Sequence, residues 1–150
     1  VCSSDLLGPN LEKFEKMFAK YAKTRDAIAV SNCTAALHLS LMALGIKKGD
    51  EVIVPDLTFI ADANAVLAVG AKPVLADIED NFSISITSIK KKISKNTKAI
   101  IPVHIYGEAC NMDEIMDIAK ENNIKPRATT KDAKVTTILM VRELEHELHF

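Results

Sequence analysis

An alternation of short apolar segments with longer helical ones constrains the fold of this chain more than any other feature of its sequence. The apolar segments predict four strands, "AIAVS" (27–31), "EVIVP" (51–55), "KPVLADI" (72–78) and "KAIIPVHI" (98–105). Apolar residues at helical spacing predict helices over 10–22, 34–46, 58–69, 85–94 and 111–123. Gly45 lies near the end of the second of these helices and Gly70 follows the third, and both suit C-cap positions. Because strands that are apolar on both faces belong to covered parallel sheets, the sequence predicts an α/β fold, mostly parallel and covered by helices on both faces.

The segments that follow the predicted strands are the places to look for a binding site. In sheets of this kind, ligands bind beyond the carboxyl ends of the strands. Those segments are "SNCTA" (31–35), "PDLTF" (55–59), "DIEDN" (77–81) and "HIYGEAC" (104–110).

The stretch "VSNCTAA" predicts a strand end, a short turn and a helix start. The first N–H groups of a helix and its dipole favour a bound anion. Thr34 can add a hydroxyl donor, and the small residues Cys33 and Ala35 would let a phosphate approach the main chain. The alternative is that Asn32 or Thr34 only caps the helix.

Phe59 follows the second predicted strand and is expected to face the same crevice. An aromatic ring beside an anion site suits a flat, phosphorylated heteroaromatic compound. The alternative is an ordinary core phenylalanine. A nicotinamide-binding domain shares the alternation, but the chain has no G-x-G sequence and no Walker loop, which argues against both common nucleotide-binding loops.

Composition narrows the classes of function. The chain has 150 residues, of which 48% are hydrophobic and 26% charged, and a net charge of −1, so it has no basic field for nucleic acid or an anionic membrane. Its apolar runs are too short to cross a membrane, and it shows no signal-peptide pattern. Three cysteines form neither a disulfide framework nor a CxxC metal motif, so we expect a cytoplasmic protein without a metal site.

Several stretches, in order and at matching intervals, resemble the DegT/DnrJ/EryC1/StrS family. They include "GPNLEKFEKMFAKY", "AIAVSNCTAALHLSLMALGIKKGDEVIVPDLTFIADANAV", "GAKPVLADIE" and "TKAIIPVHIYGEACNMDEIMDIAKENNIK". The resemblance covers Gly8 to Lys125. It implies the aspartate-aminotransferase (type I) fold, a pyridoxal 5'-phosphate cofactor, and sugar aminotransferase activity, most similar to the enzymes that aminate nucleotide-linked 4-keto-6-deoxy sugars, such as perosamine synthetases.

The resemblance also implies roles for individual residues. The family's Asn-Gly-Thr-Ala turn falls on residues 32–35, so Cys33 (a glycine in the family), Thr34 and Ala35 are expected to hold the cofactor phosphate. Phe59 matches the aromatic residue that stacks on the pyridine ring. His104 and Tyr106 fall in the family's "VHxYG" segment near the sugar, although a packed or capping histidine is an equal alternative there. The resemblance also implies a homodimer that uses glutamate as the amino donor.

The resemblance stops before the catalytic residues. The family places a pyridinium-binding aspartate after a fifth strand and a Schiff-base lysine beyond it, but this chain continues with "PRATTKDAKV" at 126–135. Lys131, Asp132 and Lys134 lie in unmatched sequence and receive no catalytic role. We therefore expect residues 8–125 to be a partial large domain of the type I fold, catalytically inactive and poorly folded by itself. Residues 1–7, which fit no element, and the tail 126–150 are expected to be non-native.

Two other functions remain open on the same scaffold. One is a pyridoxamine-phosphate-dependent sugar dehydratase, which carries a histidine where the aminotransferases carry the lysine. The other is a cofactor-binding regulator without catalysis.

Overall fold

The computed structural model describes residues 4–122 and 124, with side chains from Pro9 onward. The helices are α1 (Ser4–Tyr21), α2 (Cys33–Ala43), α3 (Ala61–Ala68), α4 (Ile86–Lys92) and α5 (Met112–Glu121). The strands are β1 (Glu51–Pro55), β2 (Lys72–Ala76) and β3 (Thr97–Ile100), and a single 3₁₀ turn covers Ile105–Gly107. Lys131, Asp132 and Lys134 lie outside the described residues.

The strands form one parallel sheet in the order β2-β1-β3. Each connection between two strands contains a helix, α3 between β1 and β2 and α4 between β2 and β3. The predicted α/β class and parallel sheet are therefore confirmed for the described part of the chain.

Most helix and strand ends differ from the prediction by three residues or fewer, and three larger differences have a physical reason. Residues 27–31 form no strand, because their main chain pairs with no neighbouring strand and the N–H of Ala29 donates to the Glu15 carboxylate of α1 instead. β3 ends at Ile100 rather than 105, since Pro102 has no N–H for a ladder. α1 begins at Ser4, so part of the leader 1–7 is helical and the statement that it fits no element is wrong.

Two hydrophobic clusters lie on the two faces of the sheet. Val52 and Val54 of β1 point into the first cluster, together with residues of α2 and α3. Ile53, between them, points into the second cluster with residues of α4 and α5. This alternation follows from the two-residue period of a strand, and it confirms that helices cover both faces.

Gly45 and Gly70 reverse the chain after α2 and α3. Both have positive φ angles, +74° and +77°, which an L side chain would strain. After α2, Gly45 N–H donates to Met42 O and Ile46 N–H to Leu41 O, the paired bonds of a Schellman motif. The predicted C-cap positions are confirmed.

These reversals determine where α2 and α3 begin. The 11 residues of α2 and the five of β1 both span about 16 Å. Because α2 leads into the start of β1, its own first residue lies back at the carboxyl edge of the sheet. α3 follows the end of β1 and starts at that same edge. Both helices belong to the first cluster, so their N-termini share one edge and one face.

At the opposite, amino edge, Glu51 connects all three strands. Its carboxylate accepts hydrogen bonds from Lys72 Nζ at 3.0 Å and from Ser94 Oγ at 2.6 Å, and its N–H donates to Asn96 O. These hydrogen bonds lower the pKa of Glu51, the one from Ser94 most and the one from Lys72 next. Among the described residues, no helix is long and apolar enough to cross a membrane.

Candidate functional site

The carboxyl edge of the sheet gathers the segments that the sequence singled out. β1 and β2 end side by side, where Asp56 N–H donates to Ala76 O at 2.9 Å. The segment after β3 continues along β1 for one more bond, from Ile101 N–H to Ile53 O. The loops after these strands and the starts of α2 and α3 therefore lie along one edge.

The start of α2 is capped by Asn32. Its side-chain oxygen accepts from Ala35 N–H at 2.8 Å, and its carbonyl accepts from Ala36 N–H at 3.1 Å. Asn32 is therefore the residue that caps α2. Thr34, by contrast, is exposed, and neither its N–H nor its hydroxyl has a hydrogen-bond partner among the described residues. Of the donors that the sequence predicts for an anion, Ala35 N–H is already bonded to Asn32. The main-chain N–H and the hydroxyl of Thr34 remain available.

Cys33 stands at the first position of α2, where the resemblance implies a glycine. Its side chain is partly buried and packs against the first hydrophobic cluster. The substitution is accommodated by packing.

Phe59 lies two residues before the start of α3 and is 64% exposed. The core alternative for Phe59 is therefore wrong. Since α2 and α3 begin at the same edge and cover the same face, Phe59 and Thr34 are on one side of the molecule. Their expected roles with a cofactor stay predictions.

His104 belongs to a loop that folds back on itself after β3. Its Nδ1 accepts from Cys110 N–H at 3.1 Å, and Cys110 Sγ donates to Val103 O at 3.2 Å. The histidine is therefore half-buried and held by the loop, as the packing alternative supposed, while Nε2 has no partner among the described residues. Burial raises the pKa of the Cys110 thiol, which keeps it protonated as a donor.

Tyr106, in the same loop, is 82% exposed and has a positive φ of 54°. Its ring meets that of Phe82 edge to face, with centroids 5.9 Å apart. Phe82 precedes α4, which covers the second cluster. Tyr106 therefore lies toward the face of the sheet that carries the second cluster. Phe59 and Thr34 lie toward the face that carries the first cluster.

The sequence analysis missed one pair at this edge, Thr58 and Asp62. Asp62, in the first turn of α3, is only 1% exposed, and its carboxylate accepts a hydrogen bond from the Thr58 hydroxyl. The signal was present as a Thr and an Asp four residues apart at the start of an alanine-rich helix. Within the described residues, no group of three or more His, Cys, Asp or Glu side chains could hold a metal ion.

Comparison with known proteins gives a family and several relatives. The profile of the DegT/DnrJ/EryC1/StrS aminotransferase family matches residues 3–127. The GDP-perosamine synthase of Caulobacter vibrioides is 48% identical over 119 residues, 79% of this chain and 32% of that protein. The GDP-perosamine synthase of Vibrio cholerae is 45% identical over 118 residues, 78% of this chain and 32% of that protein.

Solved structures of aminotransferases have the same fold as the described part of this chain. S. venezuelae DesV superposes with a TM-score of 0.77 at 42% identity, covering 79% of this chain and 32% of that one. NtdA from Bacillus subtilis, with bound PMP, gives 0.76 at 44% identity, covering 79% of this chain and 27% of that one. The chain therefore spans about a third of the length of these relatives. On this fold and these matches, the chain belongs to the DegT/DnrJ/EryC1/StrS aminotransferase family.

Proposed function

We propose that this chain is the cofactor-holding part of a pyridoxal-phosphate-dependent sugar aminotransferase. The whole protein transfers an amino group, with glutamate as the donor, to a nucleotide-linked keto-deoxy sugar. The observation that carries the proposal is the start of α2, where the donors of Thr34 lie on the same edge and face as the exposed ring of Phe59. Membership of the family and the similarity to two GDP-perosamine synthases support it.

The residues at the start of α2 fit a phosphate group. Thr34 supplies a main-chain N–H and a hydroxyl, and the helix dipole adds partial positive charge. Asn32 holds the first turn closed through Ala35 N–H, so the donors of Thr34 are fixed before any ligand arrives. Cys33 packs its partly buried side chain against the first cluster, and Ala35 is small enough to leave the approach open.

Phe59 fits the other half of such a ligand. An exposed ring can cover a flat heteroaromatic ring and exclude water from it. Pyridoxal phosphate, when bound, supplies an electron sink for the movement of an amino group. The chain's contribution is to bind and orient that group.

His104 and Tyr106 are the residues that we propose for the sugar. With Nδ1 accepting from Cys110 N–H, the neutral ring of His104 carries its proton on Nε2 and can donate to a sugar hydroxyl. Tyr106 offers an exposed ring and hydroxyl farther along the edge. The product belongs to cell-surface polysaccharide or antibiotic sugar biosynthesis.

We also propose a cytoplasmic homodimer. Cys33 and Cys110, which form no disulfide with each other, suit a reducing compartment. α1 exposes Phe14, Met17 and Tyr21, an apolar surface that a second copy could cover.

The cofactor part of the proposal is tested by binding to the 150-residue chain. Pyridoxamine 5'-phosphate is the probe, since it lacks the aldehyde that would react with surface lysines. NMR titration should give saturable shifts at Thr34 and Phe59. Thr34→Val should weaken binding about tenfold through the loss of a charge-assisted hydrogen bond. Thr87→Val is the matched control, because Thr87 is also exposed and also second in its helix, α4.

The catalytic part is tested in a chimera. The 118 residues of this chain that match the Vibrio cholerae GDP-perosamine synthase replace their counterparts in that enzyme. Amino transfer to a nucleotide-linked keto sugar supports the proposal. The Schiff-base lysine of the chimera comes from the Vibrio cholerae enzyme, so the chimera tests whether these residues can hold the cofactor and the sugar of an aminotransferase. A folded chimera that fails to bind the cofactor would contradict the proposal. The 150-residue chain alone is expected to show no turnover.

A further inference from the structure

The segment that carries Phe59 is held by a buried carboxylate. Asp62 is 1% exposed and accepts from the hydroxyl of Thr58. Its own N–H donates to the carbonyl of Phe59 at 3.1 Å. Asp62 therefore holds Thr58 through its side chain and the main chain of Phe59 through its N–H.

The start of α3 lacks an ordinary N-cap side chain. Ile60, its N-cap residue, makes no side-chain capping bond. Leu57, Phe59 and Ile60 all expose large side chains at this edge. A buried carboxylate is costly unless it is hydrogen-bonded, and here its bonds join the ends of the segment.

We infer that Thr58 and Asp62 are positioning residues for Phe59. Their hydrogen bond fixes the main chain of residues 58–62, so that the Phe59 ring stands ready at the edge of the sheet to cover a flat heteroaromatic ligand. This inference rests on the proposed function for the identity of that ligand. It adds two residues that would act through Phe59.

The test compares two ligands that share a phosphate. Pyridoxamine 5'-phosphate has the aromatic ring, and glycerol 3-phosphate does not. Thr58→Val, which removes only the hydroxyl, should weaken binding of pyridoxamine 5'-phosphate about three- to tenfold, the contribution of one aromatic contact. Binding of glycerol 3-phosphate should not change. Thr58→Ser keeps the hydroxyl and should restore the affinity.

A double-mutant cycle separates positioning from general stability. In a Phe59→Leu background, Thr58→Val should have no further effect on pyridoxamine 5'-phosphate binding. Without ligand, Thr58→Val should speed amide exchange at Asp62 while Ile53 in β1 stays protected.

The outcomes distinguish the two proposals. If the unaltered chain binds both ligands equally, the ring contact and the proposed cofactor site fail together with this inference. If the unaltered chain prefers pyridoxamine 5'-phosphate and Thr58→Val keeps that preference, only the positioning role is overturned. The positioning role is also overturned if Thr58→Val weakens the binding of both ligands equally. That result would indicate that the whole carboxyl edge has lost its structure. Asp62→Asn, which keeps an acceptor oxygen, should behave like Thr58→Ser.

Discussion

The main-chain N–H of Cys110 donates a hydrogen bond to Nδ1 of His104 at 3.1 Å, and this bond closes the loop after β3. Cys110 is buried, so its N–H would have no water to replace a lost partner. The histidine that the family resemblance assigns to the sugar therefore also holds its own loop in shape.

His104→Phe should destabilise the chain by about 1–3 kcal/mol, because a buried N–H is left without an acceptor. His104→Asn is the matched variant, since its side-chain oxygen can take the place of Nδ1, and it should cost less than about 1 kcal/mol. Urea unfolding followed by circular dichroism measures both. Equal stability of the two variants would show that the bond to Cys110 N–H contributes nothing.

The two described cysteines should differ in reactivity. Burial raises the pKa of Cys110, so at pH 8 less of it is the reactive thiolate, while Cys33 is only partly buried. Iodoacetamide at pH 8 should modify Cys33 several times faster than Cys110, as read by mass spectrometry of digested samples. In urea the difference should vanish. Faster modification of Cys110 in the folded chain would contradict its placement in the second cluster.

The sequence was sufficient to predict the class of fold because the alternation of apolar and helical segments reflects local physics. It failed at residues 27–31, since a strand also needs a neighbour and Ala29 N–H found the Glu15 carboxylate instead. It overextended β3 because an apolar run continues past Ile100 although Pro102 cannot donate. Hydrophobic periodicity indicates which residues are buried, but it does not indicate which strands pair.

The candidate site was predicted in part. Because ligands bind beyond the carboxyl ends of parallel strands, the sequence indicated Thr34 and Phe59. The two residues share an edge and a face of the sheet. The engagement of Ala35 N–H by Asn32 could not be foreseen, because either Asn32 or Thr34 could have capped the helix. Asp62 was missed because burial of a carboxylate is visible only once its partner, Thr58, is placed beside it.

The centre of the sheet should be the most sensitive part of the core. Ile53 is fully buried at the middle of β1, where it fills the second cluster. Ile53→Ala should lower the free energy of unfolding by about 2–5 kcal/mol through lost burial and a cavity. Ile28→Ala is the matched control, since Ile28 is exposed, and it should change stability by less than about 0.5 kcal/mol. Thermal melts of both variants test this, and similar losses would contradict the two-cluster core.

The amino edge should make stability depend on pH through Glu51. Hydrogen bonds, first from Ser94 and then from Lys72, lower the pKa of Glu51 below its ordinary value of 4.5. The folded chain therefore holds the ionised form more tightly than the unfolded chain does. Its contribution to stability is fully present above the unfolded pKa and is lost as the pH falls through the lower, folded pKa.

Glu51→Gln should accordingly be less stable than the unaltered chain at pH 7, and the gap should narrow as the pH falls below 4.5. Urea unfolding from pH 7 to pH 3 measures the gap. Glu12→Gln is the control, because Glu12 lies exposed on α1 in a single pair with Lys16, and its gap should stay small throughout. If the stability difference between Glu51→Gln and the unaltered chain does not change with pH, the charge of the Glu51 carboxylate does not stabilise this edge. Ser94 and Lys72 would then contribute only packing.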